Sequence, residues 1–201
     1  MTQHAPNRRG RLFVTGAALA AALALPATAL AASYPGTAGP DHFVGTADAD
    51  TMTGLGGNDI LEGLGGPDWI DGGADDDTIY GGDGDDRLAG GSGRDMVRGG
   101  AGKDRIAGGD NGDWLSGGPG ADAIYGGAGP DVIYGGDGPD AIAGGTGRDV
   151  VYGGFGNDVI QVGRDNTADA VHCGPGWDVA YLGRYDIADA SCEHVVRTLE
   201  P

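Results

Sequence analysis

The chain is poor in most of the groups from which active sites are built. Its 201 residues include only four histidines and two cysteines, and the four serines (Ser33, Ser92, Ser116, Ser191) stand in no nucleophile motif. No glycine-rich strand-to-helix phosphate loop is present, because every glycine run belongs to one repeating pattern. The expectation is therefore a protein that is not an enzyme. Basic residues are scarce too: 12 Lys and Arg stand against 30 Asp and Glu, a formal net charge of −18. Nucleic-acid binding draws on neutralisation of phosphates by cationic side chains, so no nucleic-acid partner is expected. The one long apolar run, Leu12 to Leu25, is too short and alanine-rich for a transmembrane segment. Behind Arg8, Arg9 and Arg11 and ahead of small residues at Ala29-Leu30-Ala31, it reads as an export signal over residues 1–31. Residues 32–35 then form a short lead.

Glycine is abundant, at 44 residues, and it falls in register with aspartate. An aspartate recurs every nine residues without insertion or deletion: Asp41, Asp50, Asp59, Asp68, Asp77, Asp86, Asp95, Asp104, Asp113, Asp122, Asp131, Asp140, Asp149 and Asp158. Registered on these, residues 36–161 divide into fourteen nonapeptides with aspartate at position 6. Position 1 is always glycine, and position 8 is always apolar, from Phe43 and Met52 through Leu61 and Ile70 to Val151 and Ile160. Position 2 is glycine from Gly73 to Gly154, but Thr37, Thr46, Leu55 and Leu64 before that. Acidic, glycine-rich composition alone suggests disorder. An in-phase apolar row has no use in a disordered chain, and fixed self-similarity of this kind indicates a solenoid.

Glycine at positions 1, 2 and 4 permits positive φ, so the first six residues of each unit can turn tightly. The triplet at positions 7–9 is a minimal strand that sends position 8 inward and positions 7 and 9 outward. Two nonapeptides then make one 18-residue coil. The expected fold is all-β, a right-handed parallel β-roll of about seven coils, about 34 Å long at ~4.8 Å per coil. The position-6 aspartates form two columns of seven. Neighbouring carboxylates about 5 Å apart repel by roughly 3 kcal/mol at an effective dielectric of ~20, more than so thin a core can offset. A hard divalent cation between successive turns removes that repulsion, because calcium takes six to eight oxygens from carboxylates and backbone carbonyls. Two columns offer at most about 12 interior calcium slots. Loss of Arg8, Arg9 and Arg11 with the signal takes the net charge to −21, and twelve divalent ions bring it to about +3.

The unit G-G-x-G-x-D-x-U-x, as in Gly81-Gly82-Asp83-Gly84-Asp85-Asp86-Arg87-Leu88-Ala89, resembles the RTX, or haemolysin-type calcium-binding, repeat. The resemblance implies a β-roll with calcium ligated at all fourteen aspartates, Asp41 to Asp158. Extracellular modules bind calcium at about 10⁻⁴–10⁻³ M, so a secreted protein that folds on reaching the ion is expected.

Residues 162–201 leave the register. Val162-Gly163 insert two residues, and two degenerate nonapeptides follow at 164–172 and 173–181, with Asp169 and Asp178 at position 6. Solenoids need atypical end repeats to cover the last rung of the core, so this segment reads as a C-terminal cap. It also resembles the closing segment of secreted calcium-binding repeat proteins, in Cys173-Gly174-Pro175-Gly176 and Cys192-Glu193-His194-Val195. Two cysteines in an exported chain suggest a disulfide, Cys173–Cys192, and a spacing of one coil plus one residue allows it. A metal site built from them with His172 and His194 is the alternative. On the outer faces, Tyr134 and Tyr152 should stack in adjacent coils with Tyr80 further down the column, and Tyr125 should lie on the opposite face. Trp69 and Trp114 share no column and form no pair. The leading functional expectation is a stand-alone secreted calcium-binding roll acting as a structural or interaction module. The other is a cell-surface adhesin, or an ice- or glycan-binding solenoid, using an outer strand face.

Overall fold

The computed structural model describes residues 31–163 and 165–197, so the export signal expected over residues 1–31 lies almost wholly outside the described residues. The described chain is all strand and turn: 19 strands form two parallel sheets, one of ten strands and one of nine. Consecutive strands alternate between the sheets, so the chain winds as a solenoid of about nine coils rather than seven. The additional coils come from both ends. Ser33–Thr37 pairs with the strand at Thr51–Gly56, and five short strands from Val159 to Arg197 continue both sheets beyond the regular array.

Register is strict. Through the regular repeats each strand pairs with the one 18 residues on, as in Trp69↔Arg87, Ile70↔Leu88 and Asp71↔Ala89. Past Asp158 the offset becomes 20, with Val150 opposite Ala170 and Val159 opposite Val179. The two inserted residues are absorbed between strands, where Val162 turns inward and is buried. The segment expected to cap the array therefore continues both sheets of the same roll.

The regular strands are six residues long, not three. They run from position 7 through position 3 of the next unit, as in Arg87–Ser92, where burial alternates exposed, buried, intermediate, buried, intermediate, exposed. Two positions therefore face the interior. Position 8 supplies the core column of Met52, Leu61, Ile70, Ile79 and their successors to Ile160. Phe43, first in that row, is only partly buried and stacks at 5.6 Å with Tyr34 over the N-terminal end. Position 1 also faces in, and its glycine answers a steric demand. A Cβ on Gly72 would sit 2.3 Å from Asp77 Oδ2 and 2.6 Å from the Gly90 carbonyl oxygen. Position-1 glycines are not in the left-handed region, so among the glycines the expectation of positive φ holds at position 2 and, Gly39 and Gly120 apart, at position 4, and fails at position 1.

Positive φ is compulsory at position 2 from the third unit onward, even where the residue is not glycine. Leu55 (φ 77°) and Leu64 (φ 75°) are held there although a left-handed L-residue costs ~1–2 kcal/mol. At position 4, Asp75 and Asn111 do the same with the short polar side chains that tolerate this region best. Because Leu55 and Leu64 are more than half exposed, Leu55→Gly and Leu64→Gly should each stabilise the folded roll. Relief of strain, less the ~0.5–1 kcal/mol of added unfolded-state freedom, leaves a gain of about 0.5–1 kcal/mol. Thermal unfolding reads this directly; an unchanged or lower Tm would contradict it.

Cys173 and Cys192 form a disulfide, with Cα atoms 5.0 Å apart. That removes the alternative metal site. His172 instead stacks on Tyr152 at 4.8 Å and shares a 2.6 Å hydrogen bond with Asp189, while His194 packs edge-on against Trp177.

Candidate metal centres in the turn columns

The turn at positions 4–6 brings each aspartate round so that its side chain folds back into the roll above the position-1 glycine. From Asp50 to Asp178 these carboxylates are only 0–3 % exposed. Each aspartate places its Oδ1 against the preceding coil, where it accepts the backbone N–H of the aspartate before it in the column. The series begins at Asp41 N–H to Asp59 (2.7 Å) and Asp50 N–H to Asp68 (2.7 Å). It continues through Asp86 N–H to Asp104 (2.9 Å) and Asp140 N–H to Asp158 (2.9 Å). The aspartate carbonyl is used as well, accepting the position-7 N–H of a later coil, as from Thr78 to Asp59 at 2.9 Å. The backbone of the column is fully engaged.

The second carboxylate oxygen is different. Oδ2 of Asp59, Asp68, Asp77, Asp86, Asp95, Asp104, Asp113, Asp122, Asp131, Asp140, Asp149, Asp158, Asp169 and Asp178 is buried without a hydrogen-bond partner. Leaving one buried polar atom unpaired costs ~1–3 kcal/mol, and more when it is charged. Burial, reinforced by neighbouring carboxylates in the same column, raises the pKa accordingly. Asp77, Asp104, Asp113, Asp131, Asp140 and Asp169 are pushed up to about 7. Asp68, Asp95 and Asp149 are pushed up to about 6. Desolvation leads in every case; the repulsion on Asp104 comes from Asp122, Asp86 and Asp85.

Such an array presents a row of anionic oxygens that a cation would satisfy. Among the described residues no three acidic, histidine or cysteine side chains converge on a point, so a bound ion would draw on one or two aspartates and fill its shell from the backbone. The backbone oxygens are at hand. A Cβ on Gly82 would lie 2.3 Å from the Leu64 carbonyl oxygen, and one on Gly84 would lie 2.2 Å from that of Gly66. Glycine at positions 2 and 4 keeps this carbonyl-lined seam free of side chains. Carbonyls plus sparse carboxylates make an all-oxygen donor set, suited to a hard ion with six to eight ligands and ill suited to zinc or copper.

A family model for the RTX calcium-binding nonapeptide repeat matches the chain in four copies, at residues 35–70, 62–97, 98–133 and 134–167. The chain belongs to that family. RTX repeats bind calcium, and the buried aspartate columns fit that ion. No curated protein matches the chain.

Within the RTX array not every predicted ligand is equivalent. In the first two units position 2 is threonine with negative φ, and its N–H turns towards the carboxylate. Thr37 N–H donates to Asp41 Oδ2 and Thr46 N–H to Asp50 Oδ2, both at 2.6 Å. Asp50 Oδ1 also accepts the Ala32 N–H at 2.7 Å, so both its oxygens are satisfied by protein. Conversely, Asp169 and Asp178 carry the same unpaired Oδ2 as the regular repeats, and sequence reasoning left them out of the ligand set. The signal for them was there: position 6 of the degenerate units, displaced by two residues.

Proposed function

We propose that this RTX chain is an exported protein that folds on binding calcium along both turn columns and then serves as a rigid structural or interaction module. The unpaired, buried Oδ2 row carries the reading, with the twelve aspartates from Asp59 to Asp158 as its regular ligands. Each regular column of six then has five slots, giving about ten ions before the ends are considered. The calcium supplies positive charge and open coordination sites to oxygens that have no hydrogen-bond partner among the described residues. Export fits the ion's availability, since RTX repeats are typical of extracellular proteins. The test is calcium counting on the mature secreted protein by native mass spectrometry, with N-terminal sequencing to locate the cleavage point. About ten to twelve bound ions and a start near Ala32 are expected. Retention of only one or two ions would end the reading.

The adhesin reading finds support on one face only. On the nine-stranded sheet Arg98, Trp114, Tyr134, Tyr152 and His172 stack along the axis, with Tyr134 on Tyr152 at 4.8 Å and 6°. The ring faces of Tyr134, Tyr152 and His172 lie against one another and are less open to a sugar. The ten-stranded sheet instead carries a shallow trough of about 510 Å³ floored by Ala89, Ala107 and Ala143, with exposed Trp69 and Tyr125 beside it. A partner docking on the roll would find an apolar surface there.

A further inference from the structure

We infer that the calcium array is displaced by one coil towards the C-terminus relative to the repeat motif. It ends in two terminal sites, at Asp149–Asp169 and Asp158–Asp178, which Asp186 and Glu193 close, whereas the Asp41 and Asp50 turns hold no ion. This rests on the calcium reading above and extends it past residue 167, where the family match stops.

Four observations carry it. First, Asp169 and Asp178 are 0–1 % exposed, and their Oδ2 atoms lack partners just as those of the regular repeats do. Second, the ladder runs into them without a break despite the two-residue insertion: Asp149 N–H donates to Asp169 Oδ1 and Asp158 N–H to Asp178 Oδ1, both at 2.8 Å. Third, the ladder then ends on different side chains. Asp169 N–H donates to Asp186 Oδ1 at 3.3 Å, and Asp178 N–H to Glu193 Oε2 at 2.9 Å. Asp186 Oδ2 is taken by the Gly183 N–H at 2.5 Å, so it finishes the column without opening another slot. Fourth, the Asp41 and Asp50 turns are closed by threonine, and a cation there would have to displace hydrogen bonds that already satisfy Oδ2.

The disulfide gives the second terminal site a particular construction. Cys173 occupies position 1 of the turn that ends at Asp178, the slot that is glycine in every regular unit. Its partner Cys192 immediately precedes Glu193. The crosslink therefore tethers the residue that closes the Asp158–Asp178 slot to the turn that forms it. Asp149–Asp169 has no such tether, so the two terminal sites should differ in their response to reduction.

Native mass spectrometry of the full mature chain at saturating calcium tests the assignment, with circular dichroism confirming that each variant is folded. Wild type should hold about twelve ions. Asp169→Asn and Asp178→Asn should each lose one, the double variant two, and Asp41→Asn with Asp50→Asn none. Reduction of the disulfide should weaken one terminal site while leaving the ion lost in Asp169→Asn unaffected. If wild type binds an array and Asp169→Asn with Asp178→Asn leaves the count unchanged, this inference is wrong and the calcium reading stands. Loss of two ions from the Asp41 and Asp50 variant would equally overturn it. Absence of any array in wild type would refute the calcium reading itself.

Discussion

Removing calcium with a chelator at neutral pH is expected to abolish the β-roll, and acidifying the same chelated sample is expected to bring part of it back. Both effects follow from the raised carboxylates. An aspartate near 3.8 in the unfolded chain and about 6 to 7 in the metal-free roll binds its proton more tightly when folded. Below about pH 4 both states are protonated, and the roll carries no penalty from these groups. As pH rises from about 4 through 6–7 the unfolded chain ionises first, and that contribution to stability is progressively lost. Nine aspartates are pushed up into this window. By pH 7.5 a chelated chain must hold columns of buried anions on a core one side chain wide. Calcium inverts the dependence, because its ligands must be ionised; its apparent affinity should fall, with proton release on binding, as pH drops below about 7. Far-UV circular dichroism from pH 4 to 8, with chelator and with calcium, reads both limbs. A chelated protein equally β-structured at pH 4.5 and 7.5 would show that the columns do not govern folding.

Interior aspartates should matter far more than the first ones, and a neutral isostere should push the metal-free and calcium-loaded states in opposite directions. Asp95 Oδ1 accepts the Asp77 N–H at 2.8 Å, and its own N–H donates to Asp113. Truncation at Asp95→Ala removes the acceptor for a buried N–H, at a cost of ~1–3 kcal/mol. It also strips a carboxylate from the slots on either side. The calcium midpoint of folding should rise at least about tenfold, since 1.4 kcal/mol corresponds to a factor of ten. The Asp41 turn holds no ion, because its Oδ2 is occupied by the Thr37 N–H, so Asp41→Ala should move the midpoint little. Asp104→Asn keeps an oxygen to accept the Asp86 N–H but loses the buried charge. It should therefore weaken calcium binding while making the chelated protein more structured at neutral pH. A calcium titration followed by circular dichroism separates these outcomes. Equal midpoints for the Asp95 and Asp41 variants would rule out shared ligation, and an Asp104→Asn protein less structured than wild type in chelator would contradict the electrostatic account.

Period, fold class and ion were all legible in the sequence, because each nonapeptide repeats the same local demands and the pattern of aspartate, glycine and one aliphatic admits few structures. The unbroken aspartate row at position 6 specified two columns, and the aliphatic row at position 8 specified the core from Met52 to Ile160. A spacing of one coil plus one residue was enough to favour Cys173–Cys192. Other features depended on what lies one coil away, which no nine-residue window contains. Position 1 is glycine because the Asp77 carboxylate and the Gly90 carbonyl crowd the space a Cβ on Gly72 would need, and both are tertiary neighbours. Strands run six residues because positions 1–3 of the next unit extend the parallel ladder beyond the triplet. Asp41 and Asp50 look identical to the other aspartates in register, yet the φ of Thr37 and Thr46 aims an N–H at their Oδ2 and changes what those turns can do. Asp169 and Asp178 look out of register, yet the insertion at Val162-Gly163 is taken up between strands and the ladder closes over it. The sequence by itself determined that aspartates line a solenoid; only the packing of one coil on the next decided which of their oxygens are left unpaired.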